Sequence, residues 1–293
     1  MTKVLILGGA GLLGHKAYQI LSKEFETYVT FRSFDDKLKN KKIFDENRIF
    51  SNVNAFEIEL IRKIITGLQP DVVLNCIGVI KQHKESLHHK LSIYINSLFP
   101  HLLSEICEDT NSKLIHISTD CVFSGRTGNY TEHDLSDAED LYGKSKYLGE
   151  IDYGNTLTLR TSFIGHELFN NLSLADWFLS HEGKSVHGYT NAIFTGFPTI
   201  TLCNELIRII KSHFELKGLY NISSEKITKH ELLKLINKIY RSNIVIKPFK
   251  DFYCDRSLDS GKYVNGTNFK PKGWEEMITE MYEDKLKTNY DKK

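Results

Sequence analysis

The feature that most constrains the fold is a glycine-rich turn between a short apolar run and a helical pattern. The run is KVLIL at residues 3–7, and the turn that follows it reads GGAGLLG at residues 8–14. A G-x-x-G-x-x-G spacing directly after a strand and directly before a helix is typical of a dinucleotide-binding turn. A plain strand–turn–helix without a ligand is the alternative, and this context makes it the weaker interpretation.

Each glycine of the turn has its own physical reason. Gly8 permits a tight turn, Gly11 lets the backbone approach a pyrophosphate, and Gly14 lets the helix pack closely on the strand. The helix N-terminus that follows offers free N–H groups and the positive end of the helix dipole to a phosphate. We therefore predict cofactor contacts at Gly8, Gly11, Leu12, Leu13 and Gly14.

A second strand is predicted at residues 27–31, and its end indicates which cofactor fits. An acidic residue there would bind the ribose hydroxyls of NAD. Here the strand is followed by Arg32 and Ser33, which can pair with and donate to a 2′-phosphate. Asp35 and Asp36 come later, toward the loop. The sequence therefore favours NADP(H) over NAD(H).

Strands and helices alternate along the first half of the chain. Further strands are predicted at 69–78, 113–118 and 157–165, and helices at about 13–21, 56–66 and 91–108. The last helix contains Pro100, so a kink or a helix start is expected near it. Several strands are apolar on both faces, which predicts an α/β fold with a Rossmann-type, doubly wound parallel sheet.

The alternation loosens past about residue 165. We predict a nucleotide-binding domain over 1–165, with added elements from about 200–222, and a smaller mixed α/β substrate lobe over 166–293. The stretch GYTNAIFTGFPT at 188–199 reads as turn-rich. Helices are expected near 201–212, 228–240 and 273–284.

Composition excludes several classes of protein. Lysine plus arginine number 38 and aspartate plus glutamate 37, so a nucleic-acid partner is not expected. Five widely spaced cysteines without a CxxC motif argue against a disulfide framework and favour a reducing, cytoplasmic location. The apolar N-terminus is too short for a membrane span. The histidines at 83, 88 and 89 lack metal-site spacing, so no metal is expected.

The segment LYGKSKYLGE, residues 141–150, contains two tyrosines and two lysines. Tyr142 and Lys146 are four residues apart and would share one face of a helix. Tyr147 and Lys144, three apart in the opposite order, are a second combination. Helical spacing alone leaves both combinations open.

A second polar segment lies where another predicted strand ends. The strand KLIHIS finishes in Ser118-Thr119-Asp120. Ligands of open α/β sheets bind at the carboxyl ends of the strands. A hydroxyl there could donate a hydrogen bond to a substrate carbonyl.

Together these segments resemble the extended short-chain dehydrogenase/reductases. The closer resemblance is to dTDP-4-dehydrorhamnose reductases and related reductases of nucleotide-linked 4-keto-6-deoxy sugars. It is carried by STDCVFSG (118–125), LYGKSK (141–146), LRTSFIG (159–165) and TGFPT (195–199), and it extends over nearly the whole chain. The family's Y-x-x-x-K motif selects Tyr142 and Lys146, with Thr119 as the third member of the triad. Tyr147, Lys144 and Glu150 are then expected to serve helix packing, solvent contact or a partner helix.

The resemblance implies a complete set of contacts. Further cofactor contacts are implied at Asn52, Val53, Cys76, Ile77, Gly78, Ser118, Thr161 and Phe163, as well as at Tyr142 and Lys146. Substrate contacts are implied at Lys81, Gln82, Asp120, Val122, Phe123, Asn191, Thr195 and Arg256. It also implies a homodimer through the tyrosine-bearing helix, and a role in deoxysugar and cell-surface polysaccharide biosynthesis.

Two other functions are open at this point. A sugar-nucleotide epimerase or dehydratase of the same broad family would retain NAD, whereas Arg32 favours NADP. Family dehydratases also tend to carry an acidic pair after the triad threonine, and here the sequence is Thr119-Asp120-Cys121. A non-catalytic regulatory subunit could keep the fold, since fold does not fix function, but a broken triad would then be expected.

Overall fold

A computed structural model of the chain describes residues 1–80, 88–288 and 290. It divides into two compact units that interleave along the sequence. The first consists of Met1–Thr119, Glu139–Arg160 and Cys203–Tyr220, and the second of Asp120–Ala138, Thr161–Leu202 and Asn221–Lys293. Residues 120–138 thus fall in the second unit, although they lie inside the predicted 1–165 domain.

The first unit is built on a seven-stranded sheet. Its strands are β1 (Lys3–Leu7), β2 (Glu26–Thr30), β3 (Ile49–Phe50), β4 (Val72–Asn75), β5 (Lys113–Thr119), β6 (Thr156–Thr161) and β10 (Gly218–Asn221). They are ordered β10-β6-β5-β4-β1-β2-β3, and the pairs from β3 through β5 are parallel. The order reverses between β1 and β4, as in doubly wound dinucleotide-binding sheets. The predicted fold class is confirmed.

Helices cover this sheet because its strands are apolar on both faces. Every residue of β4 and of β5 is buried, which is typical of parallel strands with helices on either side. The helices of the first unit are α1 (Leu12–Leu21), α2 (Asp36–Lys39), α3 (Ile58–Leu68), α4 (His89–Ile93), α5 (Phe99–Asp109), α6 (Leu141–Tyr147) and most of α8 (Thr199–Ser212).

A π-helical turn, Tyr94–Leu98, joins α4 to α5. Pro100 lies in the first turn of α5, where a missing N–H costs least. The expected irregularity near this proline is therefore present, as a change of helix type just before it. Such π-turns are often found at functional sites.

The second unit contains two small sheets. A three-stranded sheet has the order β11-β8-β12, and β7 pairs with β9. The strands are β7 (Phe163–Ile164), β8 (Ser185–Phe194), β9 (Phe197–Pro198), β11 (Ile227–Thr228) and β12 (Val245–Asp255). The helices are α7 (Leu174–Leu179), α9 (Lys229–Tyr240), α10 (Gly261–Thr267) and α11 (Trp274–Lys287).

The turn-rich interpretation of residues 188–199 was wrong. Most of this stretch belongs to the ten-residue strand β8, which pairs in parallel with β12. None of the described helices combines the length and the apolar composition that crossing a bilayer would require.

Candidate active site

The glycine turn forms a cradle whose shape depends on missing side chains. Gly8 has a φ of 91°, a left-handed conformation that glycine adopts at little cost. A Cβ on Gly14 would lie 2.1 Å from the Gly8 carbonyl oxygen, so α1 could not pack as closely on the turn. A Cβ on Gly11 would meet only that oxygen, at an ordinary 3.5 Å. Protein packing therefore does not require a glycine at Gly11, in keeping with its predicted approach to a phosphate.

The N-terminus of α1 points out of this turn. Gly11 is its N-cap, and in the described part of the chain no side chain caps it. The first N–H groups of α1, at Leu12 and Leu13, therefore have the character of an anion-binding helix end. The cradle and this helix end fit the pyrophosphate of a dinucleotide.

Replacing Gly14 with alanine tests this cradle. The added methyl would collide with the Gly8 backbone, so we expect unfolding free energy to fall by about 3 kcal/mol and dinucleotide binding to weaken. The matched control is Gly67→Ala in α3, where a Cβ would meet nothing within 4 Å and the change should stabilise by up to about 1 kcal/mol. Thermal unfolding and fluorescence titration with NADPH measure both effects. Wild-type stability and binding in Gly14→Ala would contradict the packing argument.

The end of β2 presents a cation to solvent. Phe31 is buried, whereas Arg32 and Ser33 are exposed directly after it. Asp35 lies further on, where it caps α2 by accepting from Leu38 N at 3.1 Å. The Asp35 carboxylate thus caps a helix beyond the strand end, and Arg32 and Ser33 are the exposed residues that directly follow Phe31.

The predicted adenine contacts lie beside this strand end. Val53 N donates to the Phe31 carbonyl at 2.9 Å, which brings the Asn52-Val53 pair next to Arg32. Asn52 is exposed with a φ of 57°, and Val53 is buried.

The turn after β4 meets the glycine turn. A Cβ on Gly8 would lie 3.0 Å from Ile77 Cγ1. Asn75 Oδ1 accepts from Ile77 N at 3.1 Å and so shapes the turn that carries Cys76, Ile77 and Gly78. These predicted cofactor contacts therefore lie together at the carboxyl ends of β1 and β4. Lys81 and Gln82 lie outside the described residues.

Helix α6 presents Lys146 to the neighbouring strand. Asp140 caps the helix by accepting from Gly143 N at 2.8 Å. Lys146 is buried, and its ammonium donates to the Ile117 carbonyl at 2.8 Å, two residues before Thr119. Tyr142 lies one helical turn earlier and is partly exposed. The other combination, Tyr147 with Lys144, is exposed.

Burial controls the charge of Lys146. It lowers the pKa of this ammonium from 10.5 to about 8, while the nearby groups Glu150 and Cys76 act in the opposite direction. The ammonium is thus charged at neutral pH and close to titration. A charge in this position can stabilise a neighbouring phenolate.

Asn96 is a site residue that the sequence did not indicate. Its amide lies on the π-helical turn, accepts from Val79 N at 2.9 Å and donates to Val79 O at 3.0 Å and to Ser145 Oγ at 3.2 Å. A Cβ on Gly149 would lie 1.9 Å from the Asn96 carbonyl oxygen. Asn96 therefore ties the segment after β4 to α6, and no local pattern marks it.

Glu150 lies outside the tyrosine-bearing helix in which the sequence predicted it. Helix α6 ends at Tyr147, and Glu150 lies in the turn beyond it. Its side chain is buried against Arg160 of β6 and accepts from Ser118 Oγ at 2.6 Å. The hydroxyl of Ser118, one of the predicted cofactor contacts, is thus engaged by Glu150.

Two predicted substrate contacts have buried side chains. Val122 and Phe123 are fully buried in a small cluster with Tyr130 and Leu258, and the Phe123 and Tyr130 rings stack with centroids 4.1 Å apart. These side chains pack the second unit instead of facing solvent. Asp120, which begins the short helical turn that ends at Val122, is also buried.

The remaining predicted contacts in the second unit are held by its backbone. Asn191 Nδ2 donates to Lys250 O at 2.9 Å between β8 and β12, and Thr195 Oγ1 accepts from Leu258 N at 3.3 Å. Arg256 Nε donates to Phe123 O at 2.7 Å, and Nη1 lies 3.6 Å from Cys121 Sγ. Thr161 is buried at the end of β6, and Phe163 is partly exposed in β7.

The strand order, the glycine turn and the Tyr142–Lys146 helix together define a Rossmann-type protein of the extended short-chain dehydrogenase/reductase class. The chain belongs to the RmlD substrate-binding domain family, whose profile matches residues 1–286.

Relatives of known name differ in what they do. Methionine adenosyltransferase 2 subunit beta of Danio rerio is 29% identical over 245 residues, which is 78% of this chain and 71% of that protein. The dTDP-4-dehydrorhamnose reductase of Aggregatibacter actinomycetemcomitans is 27% identical over 176 residues, 58% of this chain. The match spans about half of that reductase, 54% of its length.

Solved structures share the fold. The dTDP-4-dehydrorhamnose reductase from Bacillus anthracis str. Ames, in complex with NADP, has a TM-score of 0.79 at 20% identity, covering 97% of this chain and all of that one. Neighbours of this fold are recorded with either NADP or NAD, so the fold alone does not choose the cofactor.

Proposed function

We propose that this protein is an NADPH-dependent reductase of a nucleotide-linked 4-keto-6-deoxy sugar, such as dTDP-4-dehydrorhamnose or a UDP-linked 2-acetamido-2,6-dideoxy-hexos-4-ulose. The observation that carries the proposal is the placement of Lys146, buried and bonded to β5 beside Thr119, one helical turn from Tyr142. Family membership supports the reductase class.

The residues of the first unit suit this chemistry. NADPH, when bound, supplies the hydride. Tyr142 donates its phenolic proton to the substrate carbonyl oxygen as negative charge grows there, and Thr119 donates a hydrogen bond to the same oxygen. A phenol has an ordinary pKa of about 10, so the Lys146 ammonium is needed to stabilise the phenolate near neutrality. The glycine cradle and the N-terminus of α1 hold the pyrophosphate.

Arg32 determines the preference for NADPH in this proposal. A guanidinium and a hydroxyl at the end of β2 recognise a 2′-phosphate. We expect Arg32→Ala to weaken NADPH binding about 10- to 100-fold and to leave NADH binding nearly unchanged. Fluorescence titration with the two cofactors measures this ratio, and the exposed Arg126→Ala serves as the control. A wild-type preference for NADH would contradict the assignment.

One assay tests the proposed activity. Purified protein is given NADPH and a panel of dTDP- and UDP-linked 4-keto-6-deoxy sugars, and NADPH oxidation is followed by the loss of its nicotinamide absorbance. Oxidation with at least one sugar is expected. If none of the sugars causes NADPH oxidation, the proposal is overturned. If NAD stays bound to the protein through purification, the proposal is also overturned, in favour of an epimerase or dehydratase.

The similarity to an adenosyltransferase subunit supports a second candidate, a subunit of another enzyme. Such a protein need not turn over a sugar nucleotide. If the panel gives no oxidation while NADPH still binds, this candidate becomes the better one. Co-purification of a tagged chain with its host's methionine adenosyltransferase would then be the direct measurement.

A further inference from the structure

A single carboxylate, that of Glu150, joins three elements of the first unit. It accepts from Ser118 Oγ at 2.6 Å, from Arg160 Nε at 2.8 Å and from Arg160 Nη2 at 2.6 Å. Ser118 lies near the end of β5, Arg160 lies in β6, and Glu150 follows α6. The network therefore ties two strands to the helix that carries Tyr142 and Lys146.

The network is buried, which makes general stabilisation a poor explanation for it. The side chains of Arg160 and Glu150 are 2% and 6% exposed. A buried ion pair loses so much hydration that apolar residues of the same volume often stabilise a fold equally well. A bidentate guanidinium–carboxylate pair does, however, fix the orientation of its partners. Orientation is thus the property that this arrangement provides.

The residues held by the network border the candidate triad. Ser118 immediately precedes Thr119, and Lys146 lies four residues before Glu150. The Lys146 ammonium donates to Ile117 O, next to Ser118. A shift of Glu150 would therefore move the strand end and the helix relative to each other at the point where Lys146 is anchored.

We propose that Glu150 is a positioning residue, which holds Ser118 and Arg160 so that Thr119 and Lys146 keep their places beside Tyr142. The inference rests on the proposed reductase function, because it assigns Glu150 a role in that same site. Glu150 acts through these neighbours and does not itself contact the reacting atoms.

The charge of Glu150 gives this role a measurable signature. Burial lowers the pKa of Lys146 to about 8, and Glu150 acts to raise it. Among the described residues, the Cys76 thiol also acts to raise that pKa, and burial, helped by the charge of Lys146, holds the pKa of His116 well below its usual range. The Tyr142 phenol lies one helical turn from Lys146. Without the carboxylate charge, Lys146 would lose its proton at a lower pH.

Three variants separate charge from geometry. For Glu150→Gln we expect kcat to fall about 10-fold and the alkaline limb of the kcat profile to move about one unit toward lower pH. That limb reports Tyr142 and Lys146 as a coupled pair. Glu150→Asp should lower kcat without moving the limb. The control is Asp176→Asn, which removes the carboxylate charge beside His166 in the second unit, where the two side chains are likewise 2% and 6% exposed. It should lower stability and leave the limb in place.

A second readout keeps the inference separate from the proposed function. The protein is labelled with ¹⁵N at lysine Nζ and studied by NMR. The Lys146 signal is the one that disappears in Lys146→Arg, and its pH titration is compared between wild type and Glu150→Gln. A lower Lys146 pKa in the variant supports the inference even where no sugar is reduced. Wild-type titration and wild-type turnover in folded Glu150→Gln would overturn it. If Glu150→Gln does not fold, Ser118→Ala is used instead, because it keeps the ion pair between Glu150 and Arg160. We expect kcat of Ser118→Ala to fall about 5-fold at constant KM. An unchanged kcat in this variant would overturn the inference.

Discussion

Tyr142→Phe should bind NADPH like the wild type while its kcat falls by about 10²- to 10⁴-fold. The change removes one oxygen from α6. Because Tyr142 lies one turn from Lys146, whose ammonium is anchored to Ile117 O, it is the tyrosine that the proposed mechanism uses as proton donor. Without the hydroxyl, charge on the carbonyl oxygen would develop with only the Thr119 hydrogen bond to stabilise it.

The second tyrosine of α6 provides the matched control. Tyr147 is 39% exposed, so Tyr147→Phe should retain wild-type kcat, KM and melting temperature. Steady-state NADPH oxidation, together with fluorescence titration of NADPH, measures both variants. Substantial activity in Tyr142→Phe would contradict the role of Tyr142 as proton donor. A large loss of activity in Tyr147→Phe would indicate that Tyr147 has that role instead.

The cofactor turn could be predicted from sequence because its signals are local. Gly8 is favoured by its own left-handed backbone conformation, and Gly14 by its contact with the backbone of Gly8 and Gly9 a few residues earlier. The apolar strand before them is buried on both faces. The parallel arrangement of the strands then follows from the alternation of strands with helices. The same logic found the polar strand end at Thr119.

The second sheet could not be predicted in the same way. In β8 the buried positions Val186, Gly188 and Ala192 alternate with exposed ones, but glycine and asparagine in the strand resemble turn residues. Most of β12 is exposed, so no apolar alternation marks it. Its pairing with β8 is a long-range contact, to which a single sequence gives no guide.

The site residues that sequence reasoning missed depend on tertiary contacts. Glu150 and Arg160 are ten positions apart, and only the placement of β6 next to β5 brings them together at Ser118. Asn96 acts from a π-helical turn that no spacing rule indicates. The buried side chains of Val122 and Phe123 show the converse: a motif shared with a family can mark packing as well as contact with a ligand.

Lys146→Met should abolish most activity without destabilising the fold. Methionine has a similar volume and no charge, so the Tyr142 phenolate would lose the ammonium that stabilises it. We expect kcat/KM to fall about 10³-fold, within the range for loss of one general acid or base contact, and NADPH to bind more weakly. Lys144→Met, at the exposed lysine of the same helix, is the control and should behave as wild type.

The stability of Lys146→Met distinguishes lost chemistry from lost structure. Burial lowers the pKa of Lys146 from 10.5 to about 8, so between these pH values the unfolded chain binds more protons than the folded one and wild-type stability rises with pH. Below pH 8 the folded protein holds a charged ammonium in a buried position, which costs stability. At pH 7 the methionine variant should therefore melt at the wild-type temperature or above it, and its stability should depend less on pH between 8 and 10. If Lys146→Met melts well below the wild-type temperature, Lys146 stabilises the fold. The loss of activity in that variant would then be no evidence for a role of Lys146 in proton transfer.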